Sequence, residues 1–183
     1  MPDFAMTLPD PAVSRLLPRH WQAYRAMRLA MLQESPRSFG STHAQAAGFD
    51  EQLWKQRLTE NVVFLARVAQ MPAGSATYSD HPLGDPGDCA LFGVWVDPRF
   101  RGAGVGRALV DAAVDQARAA GRRRVVLHVA AGNDPAAALY RRAGFVPTGR
   151  TVLRSDHEQA GDQLVEVEME LVLEDGPVSP VRP

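Results

Sequence analysis

The residues with the clearest chemical role lie in a glycine-rich stretch between a predicted buried strand and a predicted helix. Val94-Trp95-Val96 ends the strand, and Gly102, Gly104 and Gly106 follow before the helix. A turn of small residues exposes backbone N–H groups, and the positive end of the helix dipole adds to their attraction for anions. Because glycine has no side chain, an anion can approach the main chain closely. The stretch therefore predicts a site for phosphate oxygens.

Two familiar nucleotide signatures do not match this stretch. A P-loop ends in Gly-Lys-Ser/Thr, whereas this chain has Gly106-Arg107-Ala108 and its only lysine is Lys55. A dinucleotide fingerprint requires a glycine at position 107 and an acidic residue about twenty positions later, where Val125 and Val126 stand. The remaining interpretations are a phosphate site of another class and a helix entry whose glycines only allow tight packing.

The composition describes one globular domain without a membrane-crossing helix. The chain has 183 residues, the usual size of one domain, and no apolar run approaches the roughly 18 residues of a spanning helix. Its formal charge of −1 does not provide the positive field that nonspecific nucleic-acid binding requires. The single cysteine excludes an internal disulfide and a cysteine-based zinc site, and we expect no metal centre. We interpret this residue, Cys89, as a small buried hydrophobe because no basic partner is adjacent.

The ends of the chain differ in composition from its centre. We expect a folded domain over residues 12–173, with a flexible N-terminal segment at 1–11 and a flexible, proline-containing tail at 174–183. The N-terminus carries acidic residues and prolines where a signal peptide has basic residues and an apolar core. We therefore predict no secretion signal and a cytoplasmic location.

Hydrophobic periodicity predicts the first elements. A short strand at Val13–Leu16 precedes a core-facing helix that starts near Pro18. The apolar positions of this helix recur at three- and four-residue steps: Leu17, Trp21, Tyr24, Met27 and Met31. A loop with an exposed Phe39 follows, and Asp50 caps a second short helix.

The later elements alternate between strand and helix patterns. A hairpin is predicted from Val62–Leu65 and Ser75–Ser79 with its turn at Gln70–Gly74, then a central strand at Cys89–Val96 and an amphipathic helix at Gly104–Ala120. The next predicted elements are a parallel strand at Val125–Val129, a helix at Pro135–Arg142 with Asp134 as its N-cap, and antiparallel strands at Phe145–Leu153 and Gln163–Leu173. In the last strand, glutamates 166, 168 and 170 alternate with apolar residues and are expected to face water.

A compound spacing links the glycine stretch to residues further along the chain. Arg101-x-x-Gly104-x-Gly106 follows a Val96-x-Pro98 strand end, and Asn133, Tyr140 and Gly144-Phe145 come later. This combination resembles the acetyl-CoA signature of the GNAT N-acetyltransferase superfamily. The resemblance implies a single α/β (α+β) domain, with a mixed, mostly antiparallel sheet, a splayed parallel pair at its centre and helices on both faces.

The resemblance also implies which residues bind acetyl-CoA. The turn would hold the pyrophosphate by its amides, and the splayed strand would pair with pantetheine as an added strand does. Asn133 would bind pantetheine at the start of the following helix. The residues implied for the coenzyme are Val94, Trp95, Val96, Arg101, Gly102, Ala103, Gly104, Val105, Gly106, Arg107, Asn133 and Ala136.

Two residues are candidates for catalysis. By resemblance, Tyr140 would protonate the departing thiolate. The alternative is that Tyr140 only packs in the core as part of a short helix. Many members of the superfamily use a glutamate on the central strands as base, but Cys89–Val96 contains no acid. His128 occupies a strand position where this glutamate is often found. It is therefore a candidate base, with a buried, hydrogen-bonded histidine as the alternative.

The sequence thus predicts acetyl transfer from acetyl-CoA to a primary amine by direct attack in a ternary complex. A small molecule is the first acceptor class, and a peptide N-terminus or lysine is the second. An acyl-CoA-binding module without catalysis is the alternative from another functional class. Dinucleotide binding is a third interpretation, testable by competition between NAD and CoA. A homodimer is also compatible with the resemblance.

Overall fold

The computed structural model describes residues 8–36, 38–81, 85, 87–154 and 164–173. The predicted tail (174–183), Gln163 and most of the predicted N-terminal segment (1–11) lie outside these residues. In chain order the elements are β1 (Ala12–Leu16), α1 (Trp21–Glu34), α2 (His43–Ala47), α3 (Glu51–Glu60), β2 (Val62–Val68), β3 (Met71–Ser79), β4 (Asp88–Val96), α4 (Val105–Ala119), β5 (Arg124–Ala130), α5 (Asp134–Arg142), β6 (Val146–Arg154) and β7 (Leu164–Val172). Short 3-10 turns precede α1 and follow β4. No helix in these ranges has both the length and the apolar composition needed to cross a bilayer.

The strands form one mixed sheet in the order β1-β2-β3-β4-β5-β7-β6. Neighbouring strands are antiparallel except β4 and β5, which run parallel. This arrangement confirms the predicted sheet, because the strand-helix-strand unit from β4 through α4 to β5 produces a parallel pair inside an otherwise antiparallel order.

The parallel pair separates soon after it begins. Asp88–Ala90 lies beside Arg124–Val126, and beyond Ala90 the β5-facing edge of β4 has no ladder partner among the described residues. A bulge accompanies this separation, since the register of β4 against β3 shifts by one residue between Ser75 and Thr77, where Gly93 adopts a φ of +61°. The predicted splay at the centre of the sheet is therefore present.

Helices cover both faces of the sheet. The amphipathic α4 packs its apolar stripe on one face, with α5 beside it, and Leu109 and Leu127 belong to this core. The α1, α2 and α3 helices cover β1 to β4 on the other face, where Trp54 is fully buried. The Trp54 ring meets Tyr24 edge-on, with 5.4 Å between ring centroids. Each face of the central strands therefore contributes to a separate apolar core.

The segment between α1 and α3 differs from its prediction. Phe39 is buried, and its predicted exposure was wrong because the loop folds back onto the core formed by α1 and α3. The helix α2, which the sequence did not predict, follows this loop. Thr42 and Gln45 cap its start reciprocally, and this Thr-x-x-Gln pattern is the signal that could have identified it.

Two local predictions of turns and caps also require correction. The hairpin turn lies at Ala69–Gln70, both with positive φ, rather than at Gln70–Gly74. Pro72 instead lies in β3 at a bulge, where its missing N–H is tolerated. The N-cap of α5 is Asn133 rather than Asp134, because the Asn133 side-chain oxygen accepts the Ala136 N–H at 3.3 Å.

Candidate active site

The opening between β4 and β5 belongs to a cleft of about 1170 Å³. It is lined by residues 91–96 of β4, residues 128–130 of β5, the turn before α4, the start of α5 and the segment after α1. Every predicted site residue except Ala103 lines this cleft. The fold thus brings together residues that are separated along the sequence.

The turn before α4 has a backbone that glycine favours. Gly102 has a φ of +83°, and Gly104, the N-cap of α4, has a φ of +78°. A Cβ at either position would meet no described heavy atom within 4 Å. The left-handed conformation, and not a crowded neighbour, is therefore what requires glycine at both positions.

This turn presents backbone donors to the cleft. Five N–H groups have no acceptor among the described residues, those of Gly102, Gly104, Val105, Gly106 and Arg107. By contrast, the Arg101 and Ala103 N–H groups donate within the turn, to Pro98 and Phe100 at 3.4 and 3.3 Å. The first amides of any helix lack an internal partner. Here the N–H groups of Gly102 and Gly104, which precede the helix, add to these unbonded donors. The arrangement suits a diphosphate.

Arg101 anchors the turn to two other elements. Its guanidinium donates to Glu34 Oε1 at 2.9 Å and to the Val96 carbonyl at 3.1 Å. Trp95 Nε1 donates to the other oxygen of Glu34 at 2.9 Å. Burial alone would raise the pKa of Glu34, but hydrogen bonds from Ser35, Trp95 and Arg101 outweigh it and lower the pKa below its ordinary value. An ionised Glu34 therefore holds the turn, β4 and α1 together.

Other arginines near the turn are already paired within the protein. Arg107 Nε donates to Asp111 at 2.8 Å, and Arg107 Nη1 donates to the Arg142 carbonyl at 2.9 Å. Arg99 pairs with Asp97 at 2.7 Å. Their first role is to fix the turn and the contact between α4 and α5.

The α5 helix brings two predicted residues to the cleft. Asn133 uses its side-chain oxygen as the N-cap, so its NH2 group is the one that can bond a ligand. Tyr140 lines the cleft from the same helix and packs on Phe145, with 5.9 Å between ring centroids. Burial raises the pKa of Tyr140 above its ordinary value, so the hydroxyl keeps its proton at neutral pH.

His128 lies beside an acid that the sequence did not identify. Its Nε2 is 3.5 Å from Oε2 of Glu168, its register partner on β7. The prediction that Glu168 faces water was wrong, since the residue is only 6% exposed. Thr148 and Arg150, which lie in the bulge of β6 between Pro147 and Thr151, donate to its Oε1 at 2.9 and 2.8 Å.

The surroundings of Glu168 keep it charged. Burial alone would raise the pKa of this carboxyl group, but hydrogen bonds from Thr148 and Arg150 outweigh it and lower the pKa. His128 Nε2 is buried, and within 3.5 Å of this carboxylate it makes no hydrogen bond that meets ordinary geometry. Cross-strand pairing created this arrangement, and the residue spacing along the chain carried no signal for it.

Cys89 lies in the core and does not line the cleft. It is fully buried, and burial raises the pKa of its thiol to about 11. The residue therefore packs as a small apolar side chain, as the sequence analysis expected.

With this geometry in place, known proteins provide the decisive comparison. The model of the Acetyltransferase (GNAT) family matches residues 28–145, more than half of the 183-residue chain. The chain belongs to the GNAT acetyltransferase family. This match confirms the resemblance inferred from the turn and from Asn133, Tyr140 and Gly144-Phe145. Acetyl-CoA is the acyl donor of the GNAT family.

Individual GNAT relatives show the extent of the similarity. A mycothiol acetyltransferase from Geodermatophilus obscurus is 36% identical over 126 residues, which are 63% of this chain and 40% of that protein. An uncharacterized N-acetyltransferase from Methanocaldococcus jannaschii is 46% identical over 95 residues, which are 50% of this chain and 42% of that protein. The chain thus spans less than half the length of these curated relatives.

Solved structures confirm the GNAT fold. An acetyltransferase of the GNAT family from Streptococcus pneumoniae has a TM-score of 0.73 at 21% identity, covering 90% of this chain and all of that chain. A putative acetyltransferase from Salmonella typhimurium, solved with its cofactor acetyl-CoA, has a TM-score of 0.71 at 19% identity. That match covers 95% of this chain and 100% of the other. At these identities the comparison establishes the fold alone.

Proposed function

We propose that this chain is an acetyl-CoA-dependent N-acetyltransferase that acts on a primary amine by direct attack in a ternary complex. One observation carries the proposal: the unbonded amides of the turn and the open edge of β4 share a cleft with Tyr140 and His128. The amides of the turn suit the diphosphate of the coenzyme, and the open strand edge suits the amide groups of pantetheine. When bound, acetyl-CoA supplies the acetyl group as a reactive thioester.

His128 and Tyr140 divide the proton transfers between them. An alkyl ammonium has a pKa near 10.4, so the acceptor must lose a proton before its nitrogen attacks the carbonyl carbon. His128 takes this proton, and Glu168 stabilises the resulting imidazolium from 3.5 Å. Tyr140 gives its proton to the sulfur as the carbon–sulfur bond breaks. The raised pKa of Tyr140 ensures that this proton is present at neutral pH.

We favour a small-molecule amine as the acceptor class over a peptide N-terminus or a lysine side chain. The cleft of about 1170 Å³ must take the pantetheine arm and the acceptor together. This is about the size of a single small-molecule site, so the space left beside the coenzyme suits a compact acceptor.

The test measures thiol release from acetyl-CoA across a panel of amines. Wild type should release CoA with at least one amine. Tyr140→Phe and His128→Gln should each lower kcat about 100-fold or more, with the Kd for acetyl-CoA changed less than about threefold. Tyr24→Phe is the matched control, because Tyr24 is an equally buried tyrosine outside the cleft, and it should keep full turnover.

Three outcomes would contradict the proposal or part of it. Tight acetyl-CoA binding without thiol release for any amine would support the noncatalytic binding module. Displacement of CoA by NAD at comparable concentration would support the dinucleotide interpretation. Unchanged kcat in Tyr140→Phe would remove this residue from the mechanism.

A further inference from the structure

Outside the turn, the lining of the cleft includes side chains of both charges. Arg28 of α1 and Arg57 of α3 line it, and so do Glu166 of β7 and the candidate base His128 of β5. An acceptor with both an amine and a carboxylate would place each group against the opposite charge. We infer that the acceptor is a small amino carboxylate, such as an amino acid, with its carboxylate held by these two arginines. This inference rests on the proposed function.

Arg57 provides the strongest support for this inference. Its Nε is buried and has no hydrogen-bond partner, and no carboxylate lies within ion-pair distance among the described residues. Its guanidinium carbon lies 4.8 Å from the centroid of the Phe49 ring. This cation–π contact holds the guanidinium in place but does not neutralise its positive charge. A partly buried guanidinium without an anion is unfavourable, and a carboxylate matches its planar, forked donors. A bound acceptor carboxylate would therefore complete this site.

Arg28 places a second cation at the strand opening. Its guanidinium carbon lies 5.4 Å from the Phe39 ring centroid, and its Nη1 lies 3.6 Å from the Cβ position of Gly93. Gly93 lies at the bulge of β4, in the part of the strand that no longer pairs with β5. In an α-amino acid the amine and the carboxylate are carried by the same carbon. A carboxylate held here would therefore keep the amine inside the cleft that His128 also lines.

An aromatic surface beside these charges selects the rest of the acceptor. Phe92 lines the cleft and is 47% exposed, which is unusual for a phenylalanine on a central strand. Phe39 lines the same cleft under Arg28. An apolar side chain would cover this surface. The inferred class is therefore an amino acid with an apolar side chain.

The first experiment compares acceptors that differ only in the carboxylate. We expect kcat/KM for L-phenylalanine to exceed that for L-phenylalaninamide and phenethylamine at least 10-fold. The amide has the lower amine pKa and more of the reactive neutral form, so chemistry alone favours the opposite order. Arg57→Gln should raise KM for L-phenylalanine about 10- to 100-fold and leave KM for the amide unchanged. Arg118→Gln is the control, because Arg118 is exposed on α4 outside the cleft, and it should change neither.

The second experiment does not depend on turnover. N-acetyl-L-phenylalanine, which keeps the carboxylate, is titrated into the CoA-bound protein and its Kd is measured by calorimetry. Arg57→Gln and Arg28→Gln should each weaken this Kd at least 10-fold, and Arg57→Lys should recover part of the loss because it restores the charge without the fork. Thermal unfolding of each variant verifies the fold.

The outcomes separate this inference from the proposed function. If amines without a carboxylate are acetylated as well as amino acids, and Arg57→Gln changes neither, the inference is wrong and the acetyltransferase proposal stands. If no amine releases thiol but N-acetyl-L-phenylalanine binds in an Arg57-dependent way, the acetyltransferase proposal fails and the carboxylate site stands. Absence of N-acetyl-L-phenylalanine binding by wild type would overturn the inference directly.

Discussion

Substituting Gly104 by alanine tests why the turn before α4 contains glycine. Gly104 has a φ of +78° and a ψ of −4°, and its missing Cβ would meet no described atom within 4 Å. The cost of Gly104→Ala is therefore backbone strain alone, about 1–2 kcal/mol for the left-handed conformation. Alanine also restricts the unfolded chain more than glycine does, which stabilises the folded state by about 0.5 kcal/mol. The net loss is about 1 kcal/mol in the free energy of unfolding, or about 2–4 °C in Tm for a domain of this size.

The same substitution should weaken coenzyme binding. If the strained turn relaxes to another conformation, binding must restore the left-handed one, and about 1–2 kcal/mol corresponds to an about 5- to 30-fold higher Kd for CoA. Gly121→Ala is the matched control, because Gly121 has a φ of +64°, equally open surroundings and a position at the other end of α4. Scanning calorimetry should show the same loss of Tm for both variants, and titration calorimetry should show weaker CoA binding only for Gly104→Ala. Equal CoA affinity in the two variants would refute the assignment of this turn to the diphosphate.

Two further predictions concern groups outside the cleft. The pKa of the Cys89 thiol is raised to about 11 by burial, so alkylating reagents at pH 8 should not label the native protein, and Cys89→Ala should retain turnover in the thiol-release assay. The Asp88 carboxylate accepts two hydrogen bonds from Arg124, at 3.1 and 2.7 Å, and these lower its pKa despite burial. Its stabilisation is present above the unfolded-state pKa near 4 and is lost as the pH falls through the lower folded-state pKa. Asp88→Asn should reduce the free energy of unfolding by about 3 kcal/mol at pH 7. Below pH 4 the free energy of unfolding should fall less steeply with pH in this variant than in wild type, as measured by urea unfolding at several pH values.

Local patterns predicted most of the elements because the information lies within a few residues. The amphipathic spacing of α4 and the side-chain cap of Asp50 on α3 depend on neighbours in the chain, and the structure confirms both. The choice between Asn133 and Asp134 as the cap of α5 could not be made this way. Both residues favour the N-cap position, and only the backbone angles decide between them.

The part of the site that sequence reasoning missed depends on distant contacts. Glu168 sits in an alternating strand and looks solvent-facing, but a bulge in β6 and the neighbouring β5 bury it against Arg150 and His128. Phe39 looks like a loop residue, but the core between α1 and α3 accepts its ring. The residues predicted for the coenzyme could be grouped from the sequence because they lie in three short stretches, the end of β4, the turn leading into α4 and the start of α5. The other charged and aromatic residues of the cleft could not, because they come from α1 and the segment after it, α3, β4, β5 and β7.

The brief contact between β4 and β5 determines how the sheet can deform. Arg124 binds Asp88 on β4 and Glu170 on β7, so ion pairs reinforce the same end that the backbone pairing closes. The two halves of the sheet are therefore joined by both backbone pairing and ion pairs at Asp88–Ala90, and the strands diverge from that end. A ligand that widened the gap would have to bend the unpaired ends of β4 and β5 and would leave this junction intact.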